Sequence, residues 1–175
     1  MSLLRCLILC AALPLAACTN ATRAGEASAQ PTVTLQRTSC FGNCPAYTVS
    51  VSPDGQVAFQ GQTRAQATSA NVRIDDARYD AVLAAVRQAD LASMRDSYVA
   101  HGNGCEQVAT DMPGIRITVA DARGSKSVNF YLGCRGQEAD AVRPRIEALA
   151  RAIDQQLDTA RWIGQGSASP AAVQR

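Results

Sequence analysis

The chain is poor in aromatic residues and in histidine. Aromatics make up 5% of its 175 residues, and His101 is the one histidine. Basic and acidic side chains nearly balance, 17 against 15, which leaves a net charge of +2. Because proteins that bind nucleic acid need a basic patch, often interleaved with aromatic side chains, we expect no nucleic-acid partner.

The sequence also lacks the short motifs that mark common enzymes and cofactor sites. It has no P-loop, no dinucleotide-binding glycine motif and no C-x-x-C-H haem attachment. No G-x-S-x-G segment exists to place a serine at a nucleophile elbow. We therefore predict a non-catalytic domain that takes no cofactor. A hydrolase with its site near His101 and Asp111 is the remaining enzymatic alternative.

An apolar run near the N terminus is too short to cross a membrane. Arg5 precedes the run Leu7–Leu15, whereas a bilayer core needs about 20 apolar residues. The run leads into Leu15-Ala16-Ala17-Cys18, which resembles the lipobox of bacterial lipoproteins. This resemblance implies cleavage before Cys18, a diacylglycerol on its thiol and stable anchoring in a membrane. An ordinary signal peptide with a chance cysteine is the alternative.

These features predict four segments. Residues 1–17 are a lipoprotein signal peptide, and residues 18–31 a lipidated flexible tether, because they are small, polar and without periodicity. Residues 32–163 form one folded domain, and residues 164–175 a disordered tail. Thr19 stands where an aspartate would mark retention in the inner membrane, which favours the outer membrane, facing the periplasm.

The first half of the domain alternates apolar and polar residues, as strands do. Strands are predicted at 32–37, 47–51, 57–61 and 70–74. Pro53-Asp54-Gly55 marks the turn of a hairpin between the second and third. A helix then begins after a cap at Asp75 or Asp76 and ends at about Ala89.

The second half predicts another hairpin and another helix. Residues 115–119 and 128–132 alternate on either side of a turn at 121–124. Apolar residues then recur at helical spacing over 142–157, where Pro144 is tolerable only in the first turn. Glu147 and Arg151 are spaced for an outer ion pair, and Trp162 and Ile163 are expected to close the core. The fold class is therefore α+β: a small, mainly antiparallel sheet built from two hairpins, with two helices packed on one face.

Four of the seven cysteines fall in the domain, namely Cys40, Cys44, Cys105 and Cys134. An even number in a small exported domain predicts two structural disulfides, with three possible connectivities. Cys40 and Cys44 can form a disulfide with each other, because Gly42 permits a tight turn between them.

The second hairpin favours one connectivity. The residue numbers of two residues that pair across its turn sum to about 245. Cys134 is therefore expected to lie opposite about Asp111, within reach of Cys105. We therefore favour Cys40–Cys44 and Cys105–Cys134. The second bond would hold the stretch 95–114, where no period appears.

Two metal-binding alternatives use the same thiols, although we expect no metal. Structural zinc sites prefer two close cysteine pairs, and only one close pair occurs. Cys40-x-x-x-Cys44-Pro45 with His101 is similar to the ligand set of the Sco-type copper chaperones, in which thiolates and an imidazole select copper. The similarity implies a Cu(I)-binding or thiol-redox accessory protein. In those proteins a helix follows the motif, whereas here a strand is predicted.

A longer segment carries a more specific resemblance. The block from Arg37 to Tyr47, RTSCFGNCPAY, resembles a bacterial lipoprotein family that carries domain of unknown function 6438. Asp54-Gly55, Thr110-Asp111-Met112-Pro113 and Arg161-Trp162-Ile163 are similar to its later signatures. The resemblance implies a small exported domain without an assigned activity.

The sequence thus favours a lipid-anchored binding or scaffolding module of the cell envelope. Its partners would be the membrane, through Cys18, and an envelope protein or ligand. Loops on a rigid scaffold commonly carry function, and the candidate loop surface includes His101 and Asp111.

Overall fold

The structure is a computed structural model that describes residues 30–164. The signal peptide, the lipidation site at Cys18, most of the tether and most of the tail lie outside the described residues. Within residues 30–164, no helix combines the length and the apolar character needed to cross a membrane.

The described residues contain eleven strands and three helices. The strands are β1 (Thr32–Arg37), β2 (Tyr47–Val51), β3 (Gln56–Gly61), β4 (Ser69–Arg73), β5 (Ser97–Tyr98), β6 (Ala100–His101), β7 (Gly104–Cys105), β8 (Gln107–Val108), β9 (Gly114–Asp121), β10 (Gly124–Tyr131) and β11 (Cys134–Arg135). The helices are α1 (Asp76–Ala89), α2 (Gln137–Leu157) and α3 (Ala160–Ile163), and a short 3-10 helix covers Leu91–Ser93.

Seven strands form the main sheet, in the order β4-β3-β2-β1-β9-β10-β5. Neighbouring strands are antiparallel except β10 and β5, which are parallel. Both predicted hairpins are present, as β2–β3 and β9–β10, and β1 joins them by pairing with β2 and β9. The structure therefore confirms the α+β prediction.

Alternation along the strands puts the core on one face of the sheet. Leu35 lies opposite Val49 on one side and Ile117 on the other, and all three side chains are fully buried. Thr34, one residue earlier, lies opposite Ser50. Because side chains alternate between faces with a period of two, one face is apolar and the other polar. The apolar face shares a single core with α1 and α2, which contact each other.

Helix α1 has the bounds that the sequence predicts. The carboxylate of Asp75 accepts a hydrogen bond of 2.9 Å from the backbone N–H of Arg78, as an N-cap does. Asp90 ends the helix in a left-handed conformation with φ 48°. Tyr79 and Val82 lie on its buried side.

Helix α2 begins earlier than predicted. It starts at Gln137, so Pro144 lies inside the helix, and the prediction that this proline occupies the first turn is wrong. An interior proline costs about 3 kcal/mol, so tertiary contacts must hold the first turns. Ala139 there is fully buried, and the N–H of Gln137 donates to the carboxylate of Glu106 at 2.9 Å.

The stretch without sequence periodicity is folded. It carries four two-residue strands, and β8 pairs with β11. Gly124 pairs with Asp121 and Tyr131 with Gly114, which is the predicted register. The extension of that register to Cys134 and Asp111 is wrong, because Cys134 lies opposite Val108. The N–H of Leu132 donates to Pro113 and that of Ala109 to Gly133, so residues 110–112 loop out of the ladder.

Candidate functional site

The four cysteines of the domain form two disulfides. Cys40 is bonded to Cys44 with a Cα–Cα distance of 5.5 Å, and Cys105 to Cys134 with 5.2 Å. This is the connectivity that the sequence favoured. The second bond joins β7 to β11 and so holds the stretch before β9, as expected.

The structure separates the predicted copper ligands. His101 is exposed in β6 and lies opposite Cys105 in β7, so its disulfide neighbour is Cys105–Cys134. In residues 30–164, no group of three or more His, Cys, Asp or Glu side chains is placed to hold a metal ion. Cys40, Cys44 and His101 therefore do not form a shared ligand set.

Asp111 joins the loop that the first disulfide closes. Its carbonyl accepts a hydrogen bond of 3.1 Å from the N–H of Phe41, and its backbone is left-handed with φ 67°. Phe41 is 90% exposed, and Met112 is 39% exposed. No hydrogen bond or ion pair joins Asp111 to His101 in the described part of the chain. The structure thus brings Asp111 to the Cys40–Cys44 loop.

A cavity of about 680 Å³ lies at the end of the sheet where β1 ends and where β2 and β9 begin. The C-terminal half of α2 and helix α3 form its opposite wall. Its apolar lining includes Pro45, Pro113, Ile115, Leu132 and Ile163. Its polar lining includes Arg37, Tyr47, Glu147, Arg151, Asp154, Asp158 and Thr159.

Three polar side chains meet around the carboxylate of Asp154 in this cavity. Arg37 Nε and Nη2 donate to Asp154 Oδ2 at 3.0 and 2.7 Å. The Tyr47 hydroxyl donates to Asp154 Oδ1 at 2.6 Å, and the Thr159 hydroxyl donates to the same oxygen at 2.9 Å. Asp154 thus accepts four hydrogen bonds, and the group holds itself in place without a ligand.

Strand register and helix ends position these groups. Arg37 lies opposite Tyr47 in β2 and Ile115 in β9, so β1 carries the guanidinium to the middle of three strands. Asp158 ends α2 in a left-handed conformation with φ 53°. The chain reverses there and brings Thr159, which is 1% exposed, back against Asp154.

Electrostatics keep Arg37 charged and Tyr47 protonated. Burial acts to lower the pKa of Arg37, but the nearby Asp154 carboxylate and its hydrogen bonds outweigh that effect, so the pKa is raised. Burial first, and then the negative charge of Asp154, raise the pKa of Tyr47 well above 10.0. Tyr47 therefore stays protonated at neutral pH, and its hydroxyl donates to Asp154.

The rim of the cavity carries further ion pairs. Arg151 Nη1 lies 3.8 Å from Glu147 Oε2, which is the outer pair that the sequence predicted. Arg161 Nε lies 3.7 Å from Asp158 Oδ2. Exposed pairs of this kind contribute little to stability, but each places a cation beside an acid of the lining.

The sequence did not identify this site, although it contained one signal. Val33 and Leu35 alternate inward along β1, and the same period places Arg37 on the core face. A charged residue on a core face needs a partner. Nothing local identifies that partner, since Asp154 lies 117 residues away in the sequence.

Fold and site together define a disulfide-braced α+β domain with a cavity at one end of its sheet. Residues 31–157 match the family model described as Domain of unknown function (DUF6438), and the chain belongs to this family. The match confirms the predicted domain of unknown function. No curated relative matches the sequence.

Proposed function

We propose that this chain is a lipid-anchored protein of the bacterial cell envelope, facing the periplasm from the outer membrane. Its domain binds another molecule and does not catalyse a reaction. The cavity at the end of β1 carries the proposal, because its polar floor is already assembled around Asp154.

The N-terminal segment supports the anchor. Leu15-Ala16-Ala17-Cys18 resembles a lipobox, and the polar residues after it suit a tether. Two disulfides in one small domain are typical of proteins that fold in an oxidising compartment.

The cavity supports binding. Its volume of about 680 Å³ is within the usual range for small-molecule sites, which combine apolar walls with a few fixed polar groups. Arg37, Tyr47 and Thr159 all donate to the same carboxylate. A floor of donors without a nucleophile-and-base pair suits recognition better than covalent chemistry.

The anchor is tested by metabolic labelling with an alkyne fatty acid. We expect label on the parent and none on a Cys18→Ala variant. Cys10→Ala is the matched control, because it removes a cysteine from the same leader, and it should stay labelled. Label that persists in Cys18→Ala would contradict the anchor.

Binding is tested by native mass spectrometry of the full chain purified from envelopes. We expect a retained small molecule, lost when Ala160→Trp places an indole at the cavity wall that Ala160 lines. Ala84→Trp, on the exposed side of α1, is the control and should keep the ligand. Equal retention by both variants would remove the cavity from the proposal.

A further inference from the structure

Among residues 30–164, one nitrogen of the Arg37 guanidinium has no hydrogen-bond partner. Nε and Nη2 donate to Asp154 Oδ2, and no hydrogen bond joins Nη1 to any residue between 30 and 164. Among those residues, the one fully buried side-chain N or O atom without a hydrogen-bond partner is Arg143 Nε. Because Arg37 Nη1 also has no partner but is not such an atom, it is accessible to solvent. Two N–H donors of a fixed cation therefore remain available.

The Arg37 side chain forms part of the cavity wall. It is 16% exposed. The pair with Asp154 fixes the plane of the guanidinium, so a ligand meets donors that are already oriented. Charge-assisted hydrogen bonds from a guanidinium favour carboxylates and related oxyanions.

The acids of the lining do not oppose an anion by themselves. Asp154 is paired with Arg37 at 2.7 Å. Glu147 is paired with Arg151, and Asp158 with Arg161. Each lining carboxylate is therefore paired with a guanidinium, although that of Arg161 lies outside the lining, which itself contains two arginines and three acids.

The walls of the cavity favour a ligand with an apolar body. Side chains of Pro45, Pro113, Ile115, Leu132 and Ile163 give the cavity a largely apolar lining. Burying apolar surface against such walls favours binding. A ligand without an apolar body would leave these apolar walls in contact with water.

We propose that the cavity binds a small amphipathic carboxylate. The carboxylate accepts hydrogen bonds from Arg37 Nη1, and its apolar body packs on the walls that Ile115 and Leu132 help to form. This inference rests on the proposed binding function and gives it a ligand class.

The test is calorimetric titration of the full chain, in a non-ionic detergent at neutral pH, with three probes. They are 4-phenylbutanoate, the matched neutral alcohol 4-phenylbutanol, and acetate. We expect the phenylbutanoate to bind about 10-fold more tightly than the alcohol, since hydrogen bonds to a charged group contribute about 1.5 kcal/mol or more. Acetate should bind most weakly, because it lacks the apolar body.

A double variant, Arg37→Met with Asp154→Leu, isolates the charge. Removing both partners leaves no unpaired buried charge, although the buried hydroxyls of Tyr47 and Thr159 lose their acceptor. The phenylbutanoate should then bind no better than the alcohol. Arg116→Met, on the exposed polar face of the sheet, is the matched control and should keep the 10-fold preference. If the double variant does not fold, the acid and alcohol affinities of the parent decide the question.

Two results would overturn the inference. Equal affinities for the acid and the alcohol, both abolished by Ala160→Trp, would show a cavity that binds ligands without regard to charge. The proposed function would then stand and the ligand class would fall. Absence of binding by every probe would also reject the amphipathic carboxylate, and the retained-ligand experiment would then decide the proposed function separately.

Discussion

Arg37 and Asp154 are 117 residues apart in the sequence, and their Nη2 and Oδ2 atoms are 2.7 Å apart in the fold. The contact ties the end of β1 to the last turn of α2. Side chains of both residues are largely shielded, at 16% and 21% exposure, so the pair is both a brace and the floor of the cavity.

Asp154→Leu alone is expected to lower the free energy of unfolding by about 2–4 kcal/mol, because it leaves the Arg37 cation without its partner in a shielded site. Urea unfolding measures the loss. Asp96→Asn is the control, since Asp96 is 82% exposed in its pair with Lys126 and should change stability by less than about 0.5 kcal/mol. Similar losses in both variants would contradict the bracing role.

Tyr47→Phe is expected to lower the free energy of unfolding by about 1 kcal/mol at neutral pH, through loss of the hydrogen bond to Asp154. The pKa of Tyr47 is raised in the folded state, so the native state holds this proton more tightly than the unfolded state does. The resulting stability is present below pH 10 and is lost as the pH rises above that value. Urea unfolding at increasing alkaline pH should therefore show a steeper decline in the parent than in Tyr47→Phe. Parallel declines would contradict the assignment.

Replacing both Cys105 and Cys134 by serine should cost more stability than replacing both Cys40 and Cys44. The sequence separations are 29 and 4 residues, and loop-closure entropy then gives about 3.5 and about 2 kcal/mol. Amide hydrogen exchange adds a local measurement, because loss of the longer bond should reduce protection between residues 95 and 111. A larger effect from the short loop would contradict this ranking.

Local patterns account well for β1 and β2, whose predicted and observed bounds agree. Alternation there is strict, and the period of two leaves one choice of buried face. The predicted disulfide between Cys105 and Cys134 is also confirmed. Cys134 lies opposite Val108 and not opposite Asp111, but this shift of three residues still leaves Cys105 within bonding distance.

The start of α2 and the pairing of Arg37 with Asp154 could not be predicted in the same way. Both depend on tertiary contacts between segments distant in sequence. Glu106 holds the N–H of Gln137 from 31 residues away, and no pattern near Pro144 records that support. Asp154 lies beside the apolar stripe of α2, where an exposed acid is the ordinary expectation.

Arg143→Lys tests a second contact between α2 and the open end of the second hairpin. The Arg143 guanidinium donates to the carbonyls of Leu132, at 2.9 Å, and Cys134, and it lies 5.1 Å from the centre of the Phe130 ring. A lysine ammonium cannot bridge two carbonyls in a fixed plane, so we expect urea unfolding to show a loss of about 1–2 kcal/mol. Arg151→Lys is the matched control, because Arg151 lies on the same helix with 62% of its side chain exposed, and it should leave stability within about 0.5 kcal/mol of the parent. If both lysine variants have the free energy of unfolding of the parent, a positive charge alone is sufficient at position 143. The planar contacts of the guanidinium with the carbonyls of Leu132 and Cys134 would then not stabilise the fold.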